Sequence, residues 1–251
     1  MMLMAVFSVL LPGAVPAQEP PAVGIVEHLG EKVPLDGEFY DETGHLVPLR
    51  SIITKPTIVT FVYYRCPGIC SPLLSEVAKM IDKMDLVLGR DYQVFTLSFD
   101  PAERPEMASE KRQNYLGELK RKADPAGWRF FTGDSAAIRR LTDAAGFYYQ
   151  RSGRDWVHAA TLIVVSPDGK ITRYLYGIQH LPFDVKMAIF EASEGRTGPT
   201  IAKVLRFCYA YDPEGRTYAL AVTRIAGVIV VLFAGLFALV FIVRPKRKKG
   251  T

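Results

Sequence analysis

The pattern of apolar and polar positions changes period around residue 70. Residues 57–63 form an unbroken, mostly β-branched apolar run, which predicts a buried strand. From Pro72 onward, apolar residues such as Leu73 and Val77 recur at steps of three and four positions, which predicts an amphipathic helix. Gly89 is expected to end that helix. The chain therefore passes from a strand through a short connection into a helix.

The same alternation continues up to residue 195. Hairpins are predicted at 39–49 and at 161–176. The other expected elements are strands at 92–98 and 128–131 and helices at 108–123, 135–145 and 183–192. Strands that alternate with helices and end in a hairpin predict a three-layer α/β domain over residues 35–195. Residues 18–34 are rich in Pro and Gly and are expected to form a linker or arm.

Two apolar segments lie outside this domain. Residues 1–17 are short, apolar and end in small residues, which predicts a secretory signal peptide, with an uncleaved anchor as the alternative. After a connector at 196–224, the uncharged run 225–243 is long enough to cross a bilayer as a helix. The basic tail, 244–251, is expected on the cytoplasmic side. The domain is then periplasmic, held on the cell membrane by a single C-terminal span.

The net charge of +5 resides in the tail. Five basic residues lie within 244–251 and account for the whole excess, so the basic pI does not indicate a basic domain surface. We therefore do not expect nucleic acid as a partner.

Cys66 and Cys70 lie four positions apart, between the predicted strand and the predicted helix. Pro67 suits the first turn of a helix, where its missing N–H group would be unpaired in any case. Both thiols would then lie on one face of a helix N-terminus, where the helix dipole favours the thiolate. At this spacing the sulfur atoms could close a disulfide or share a soft metal ion. A static structural disulfide is an alternative, although a loop this short contributes little stability.

His158 precedes the predicted strand at 161–165. In a thioredoxin-like sheet that strand begins beside the strand that carries the cysteines, so His158 would face the two sulfur atoms. Two thiolates and one imidazole suit Cu(I), whereas a closed zinc site would need a fourth ligand. Asp155 could accept a hydrogen bond from the second ring nitrogen, but a solvated acid is an equally good interpretation.

The remaining cysteine and histidines have no such constellation. Cys208 lies shortly before the apolar run 225–243, and we expect a free or intermolecular thiol there rather than a further copper ligand. His28, His45 and His180 are expected at the surface.

These motifs resemble those of the SCO/SenC family of copper proteins. Members of that family are thioredoxin-fold chaperones that help to assemble the binuclear copper centre of cytochrome c oxidase. The resemblance covers about residues 35–195. The matching segments are Phe61 to Cys70, Ser98 to Pro101, Asp155 to His158 and Ser166 to Lys170.

The resemblance implies a thioredoxin-like domain that binds copper through Cys66, Cys70 and His158. It also implies two partners, the copper-site subunit of cytochrome c oxidase as recipient and another copper chaperone as a possible donor. Two positions of the cysteine loop depart from the common pattern of the family. Gly68 stands where many members carry Asp, and Ser71 stands where many carry Pro.

A thiol–disulfide oxidoreductase that keeps the cysteines of the oxidase copper site reduced is the alternative function. Disulfide exchange needs mainly the thiolate pair, whereas a copper chaperone also needs His158 as a ligand. The role of His158 therefore discriminates between the two functions.

Overall fold

The computed structural model describes residues 22–198, 209–212, 217–220, 230, 232–233 and 235–237. The strands are β1 (Gly24–Ile25), β2 (Glu38–Tyr40), β3 (Leu46–Pro48), β4 (Thr57–Val62), β5 (Gln93–Ser98), β6 (Trp128–Phe131), β7 (Phe147–Tyr148), β8 (Gln150–Ser152), β9 (Asp155–Val157), β10 (Thr161–Val165), β11 (Ile171–Tyr176), β12 (Tyr209–Asp212) and β13 (Thr217–Leu220). The helices are α1 (Leu49–Ile52), α2 (Cys70–Lys83), α3 (Pro105–Glu118), α4 (Ser135–Ala144) and α5 (Pro182–Ser193), with a 3-10 turn at Pro125–Gly127.

Five strands form the main sheet, in the order β11-β10-β4-β5-β6. β4, β5 and β6 are parallel, whereas β10 is antiparallel to both β4 and β11. Every residue of β4 is buried, as expected for a central strand covered on both faces. Because Leu162 pairs with Thr60, the start of β10 lies beside the end of β4. This register brings the segment before β10 close to the cysteine loop.

Helices cover both faces of the sheet. On one face, Tyr115 of α3 stacks on Trp128 and Phe130 of β6, with ring centroids 6.0 and 6.2 Å apart. On the other face, Leu141 of α4 lies with Val59 of β4 around a small apolar cavity. The side chains of β6 that contact α3 and the side chain of β4 that faces α4 lie on opposite faces of the sheet, because successive residues of a strand point to opposite sides. The predicted three-layer α/β domain is confirmed.

Helix boundaries differ from the sequence prediction in two helices, α2 and α3. Helix α2 ends at Lys83, because the backbone of Met84 is already extended, and does not continue to Gly89. Helix α3 spans Pro105–Glu118 instead of 108–123, and Pro105 occupies its first turn. Proline is well suited to that position because it has no N–H group to leave unpaired. Apolar periodicity alone did not locate these ends.

The arm at residues 22–34 is attached to the domain and does not form a free linker. Strand β1 pairs with β7, and the N–H group of Val33 donates to the carbonyl of Gly169 at 3.0 Å. Val26 donates to the carbonyl of Gly146 at 2.9 Å. Gly146 has φ +62°, and a Cβ atom there would overlap with the carbonyl oxygen of Val26. The close approach of the arm therefore requires glycine at this position.

Several expectations fall outside the described residues. They concern the signal peptide at 1–17, Cys208, the basic tail at 244–251, and most of 196–224 and 225–243. Within the parts of the chain that are described, no helix combines the length and the apolar character needed to span a membrane.

Candidate metal centre

The cysteine loop leaves the end of β4 and enters α2. Cys70 is the first residue of α2 and is buried, whereas Cys66 lies in the loop and is half-buried. Ile69 occupies the N-cap position of α2. The expectation that Pro67 opens the helix is therefore wrong, and Cys66 does not share a helix face with Cys70. The loop turns between Tyr63 and Cys66, where the Cys66 N–H group donates to the Tyr63 carbonyl at 3.2 Å.

A buried carboxylate fixes the loop just before Cys66. Glu103, in the connection between β5 and α3, accepts hydrogen bonds from the backbone N–H groups of Tyr64 at 2.6 Å and Arg65 at 2.8 Å. Ser98 also donates to this carboxylate, at 2.5 Å. Sequence reasoning missed Glu103, because a hydrogen bond across 38 or 39 positions leaves no spacing signal in the chain. Its place after Ser98 to Pro101, a segment singled out by the family resemblance, was the nearest clue.

His158 meets the cysteines at the junction of β4 and β10. It lies between β9 and β10 and is partly buried. Its Nε2 atom is 3.4 Å from the Sγ atom of Cys70. The ligand atoms of Cys66, Cys70 and His158 all lie within 4.8 Å of one another. The structure thus brings together the three residues that the sequence suggested.

The tautomer of His158 is set by a backbone carbonyl. Its Nδ1 atom lies 3.0 Å from the carbonyl oxygen of Ala159. A carbonyl oxygen can only accept, so Nδ1 carries the proton and the lone pair of Nε2 is directed towards the sulfur atoms. The expected partner, Asp155, is instead an exposed residue of β9 that pairs with Ser152. The carbonyl of Ala159 takes the place expected for Asp155 because it belongs to the neighbouring residue of the chain.

Aromatic side chains surround the imidazole of His158. The ring centroids of Phe99 and Tyr63 lie 5.0 and 5.9 Å from that of His158. The indole N–H group of Trp156 donates to Asp100 at 3.1 Å, which ties β9 to the loop after β5. These contacts restrict the position of the His158 ring.

The two thiols have opposite electrostatic environments. Hydrogen bonds from the Cys70 thiol and from the backbone N–H groups of Cys70 and Gly68 lower the pKa of Cys66 well below its ordinary value, although burial opposes them. The hydrogen bond to Cys66, together with burial, raises the pKa of Cys70. At neutral pH the pair therefore consists of a Cys66 thiolate and a Cys70 thiol. A thiolate is the form that attacks disulfides and binds metals.

The other histidines take no part in this cluster. His45 is exposed, as expected. His28 and His180 are partly buried, contrary to the expectation of surface positions. The ring of His28 lies 3.0 Å from the carbonyl of Ala144, in the contact between the arm and α4. Of the residues that the structure describes, only Cys66, Cys70 and His158 form a group able to hold a metal ion.

Comparison with known proteins identifies the family. The sequence profile of SCO1/SenC matches residues 30–186. The chain belongs to the SCO1/SenC family. The SCO1 protein homolog of Bacillus subtilis (strain 168) is 24% identical over 151 residues, which cover 58% of this chain and 75% of that protein. The resemblance stated from the motifs is thus confirmed.

Solved structures of similar proteins confirm the thioredoxin-like fold of the SCO1/SenC domain. A crystal structure of an Aquifex aeolicus VF5 protein superimposes with a TM-score of 0.61 at 28% identity, and covers 66% of this chain and 95% of its own. Arabidopsis thaliana ScoI, solved with copper bound, gives a TM-score of 0.52 at 21% identity, and covers 64% of this chain and 99% of its own. At 21% identity, the match to Arabidopsis thaliana ScoI is evidence for the fold alone.

The donor set of this chain fits copper. Cys66 and Cys70 are free thiols, and His158 directs its Nε2 atom at the sulfur of Cys70. Two soft sulfur donors and one imidazole match the preferences of Cu(I). Cys70 is buried, and the other two ligand residues are partly buried.

Proposed function

We propose that this SCO1/SenC protein is an extracytoplasmic, membrane-tethered copper chaperone that helps to metallate the copper centre of cytochrome c oxidase. The observation that carries the proposal is the convergence of Cys66, Cys70 and His158, whose ligand atoms lie within 4.8 Å of one another. The role of the family in the assembly of the oxidase copper centre supports the identity of the recipient. The apolar run 225–243 and the basic tail 244–251 support the tether and its orientation.

Copper is the cargo in this proposal, and each ligand has a distinct task. Cys66 is already a thiolate and is the more exposed of the two sulfur ligands, so it would meet incoming copper first. Cys70 would lose its proton as copper binds, because the ligand form of cysteine is the thiolate. His158 already directs its Nε2 atom at the sulfur atoms, because its Nδ1 atom faces the carbonyl of Ala159. Copper uptake is therefore expected to release a proton to solvent.

Thiol–disulfide exchange is the second candidate function, in which the chain keeps cysteines of the oxidase copper site reduced. It is favoured by the asymmetry of the pair, a half-buried Cys66 thiolate next to a buried Cys70 thiol. An accessible thiolate with a neighbouring resolving thiol is the arrangement that disulfide exchange needs. This function would leave His158 without a direct task.

Copper stoichiometry on the reduced full-length protein tests the proposal. The measurement uses a Cys208→Ser background in detergent, so that Cys66 and Cys70 are the only thiols. We expect about one Cu(I) per chain, held against a competing chelator. Cys66→Ala and Cys70→Ala should abolish tight uptake, whereas the exposed-site control His45→Ala should not change it. A reduced protein that takes up no copper would refute the chaperone function and favour the exchange function.

A further inference from the structure

Glu103 is a buried acid that neither candidate function uses. The residue is 4% exposed, and none of the ion pairs found within residues 22–198 includes it. The side chain of Arg65, whose backbone N–H group bonds to Glu103, is directed to the sulfur of Met107 instead. A buried carboxylate without a cation is unfavourable unless hydrogen bonds compensate for the lost solvation.

Hydrogen bonds to this carboxylate favour its ionised form. The N–H groups of Tyr64 and Arg65 and the hydroxyl group of Ser98 all donate to its oxygen atoms. Backbone N–H groups can only donate, so they favour the carboxylate over the neutral acid. Burial acts in the opposite direction and raises the pKa of Glu103. Three groups donate to the carboxylate, and two of them are backbone N–H groups of the cysteine loop.

The same hydrogen bonds determine where Cys66 lies. Tyr64 and Arg65 are the two residues directly before Cys66, and each uses its N–H group on a different oxygen of the carboxylate. The side chain therefore acts as a clamp across the start of the loop. Tyr64 is additionally fixed by its hydroxyl group, which donates to the carbonyl of Phe131 at 2.7 Å. These contacts fix the two residues that lead into Cys66.

The charge of Glu103 also reaches the sulfur pair. Its carboxylate is bound to the backbone of the two residues that precede Cys66, so its negative charge lies beside the loop that carries the Cys66 thiolate. In a poorly solvated environment a negative charge destabilises a nearby thiolate. A disulfide carries no charge, so the same field does not disfavour it.

We infer that Glu103 is a positioning residue that holds Cys66 in place for both functions and, through its charge, shifts the Cys66–Cys70 pair towards the disulfide. In the equilibrium concerned, the Cys66–Cys70 bond is reduced to two thiols while two glutathione molecules are oxidised to one glutathione disulfide. The electrons and protons of the glutathione thiols pass to the protein sulfur atoms. The inference deepens the proposed site but does not require copper, because the equilibrium is measured on the metal-free protein.

The test compares two substitutions at Glu103 with a matched control in the Cys208→Ser full-length protein. Glu103→Gln keeps the size and removes the charge. Glu103→Asp keeps the charge but is too short to reach both N–H groups. Glu106→Gln removes an exposed charge from the first turn of α3. Each variant is equilibrated with glutathione buffers, and the dithiol fraction is measured by alkylation and mass spectrometry.

We expect Glu103→Gln to shift the equilibrium about tenfold towards the dithiol, equivalent to about 30 mV. Glu103→Asp should shift it less, and Glu106→Gln should leave it unchanged. Both substitutions at Glu103 should weaken Cu(I) binding about tenfold or more, because Cys66 loses its clamp. A Glu103→Gln protein with an unchanged equilibrium, or a Glu103→Asp protein with an equal shift, would overturn the role of the charge.

The outcomes also separate a positioning role from a purely structural one. If both variants lose thermal stability while the equilibrium and the Cu(I) affinity stay unchanged, Glu103 only stabilises the fold and the inference is wrong. Should Glu103→Gln fail to fold, Glu103→Asp still decides the clamp by its Cu(I) affinity. A protein that binds no copper at all would refute the proposed function, whereas the glutathione equilibrium would still decide the charge effect of Glu103.

Discussion

The Nε2 atom of His158 lies 3.4 Å from the Sγ atom of Cys70, although 88 positions separate these residues in the chain. The antiparallel pairing of β10 with β4 produces this contact, since it places the start of one strand beside the end of the other. The carbonyl of Ala159 completes the arrangement by fixing the proton on Nδ1. The imidazole therefore presents its Nε2 atom to the sulfur atoms.

His158→Ala should separate copper binding from disulfide chemistry. The variant loses the only nitrogen ligand of the cluster, so Cu(I) affinity in a competition titration should fall at least about tenfold. Formation and reduction of the Cys66–Cys70 disulfide should continue, because both sulfur atoms remain. His45→Ala is the control. An unchanged Cu(I) affinity in His158→Ala would rule out the three-ligand site.

Cys66 should react with iodoacetamide at pH values at which ordinary thiols are protonated. Its pKa is lowered chiefly by the hydrogen bond from the Cys70 thiol, so Cys70→Ala should raise the apparent pKa of alkylation. Cys70→Ser keeps a donor and should raise it less. The rate of alkylation as a function of pH, measured in the Cys208→Ser background, checks this. The explanation fails if Cys70→Ala leaves the pH profile where it was.

Gly146→Ala should destabilise the domain far more than Gly153→Ala. Both glycines have nearly the same backbone angle, φ +62° and +63°, so alanine carries a similar conformational penalty of about 1–2 kcal/mol at each. Only at Gly146 would the added Cβ overlap with the carbonyl of Val26, whereas nothing lies within 4 Å at Gly153. We expect a total loss of about 3 kcal/mol or more at Gly146. Chemical denaturation measures both, and equal losses would contradict the packing of the arm.

Thr96→Val should cost more stability than Thr60→Val. The hydroxyl oxygen of Thr96 accepts hydrogen bonds from Thr60 and from the indole N–H group of Trp128, both at 2.9 Å. Valine at position 96 leaves two buried donors unpaired, at a cost of about 2–4 kcal/mol. Valine at position 60 removes one donor and keeps the Trp128 bond, so a loss of about 1 kcal/mol is expected. Urea denaturation measures the free energy of unfolding of both variants. A larger loss in Thr60→Val than in Thr96→Val would contradict these hydrogen bonds.

Much of the fold could be predicted because local patterns encode local structure. The apolar run of β4, the three- and four-residue steps of α2 and the turn after β10 each reflect contacts within a few positions. The prediction failed at the ends of α2 and α3, where one backbone angle or one proline decides the boundary. It also failed for Pro67, since sequence alone did not show that the helix begins at Cys70.

The sequence by itself determined the chemistry of this protein, namely two closely spaced thiols, a histidine ahead of a strand, and motifs that resemble the SCO/SenC family. Only the tertiary structure decided how these groups act together. It gave His158 the carbonyl of Ala159 instead of Asp155 as its partner, and it placed Glu103 under the cysteine loop. The physical reason is that hydrogen bonds between distant segments depend on strand order and register, which no local pattern of residues encodes.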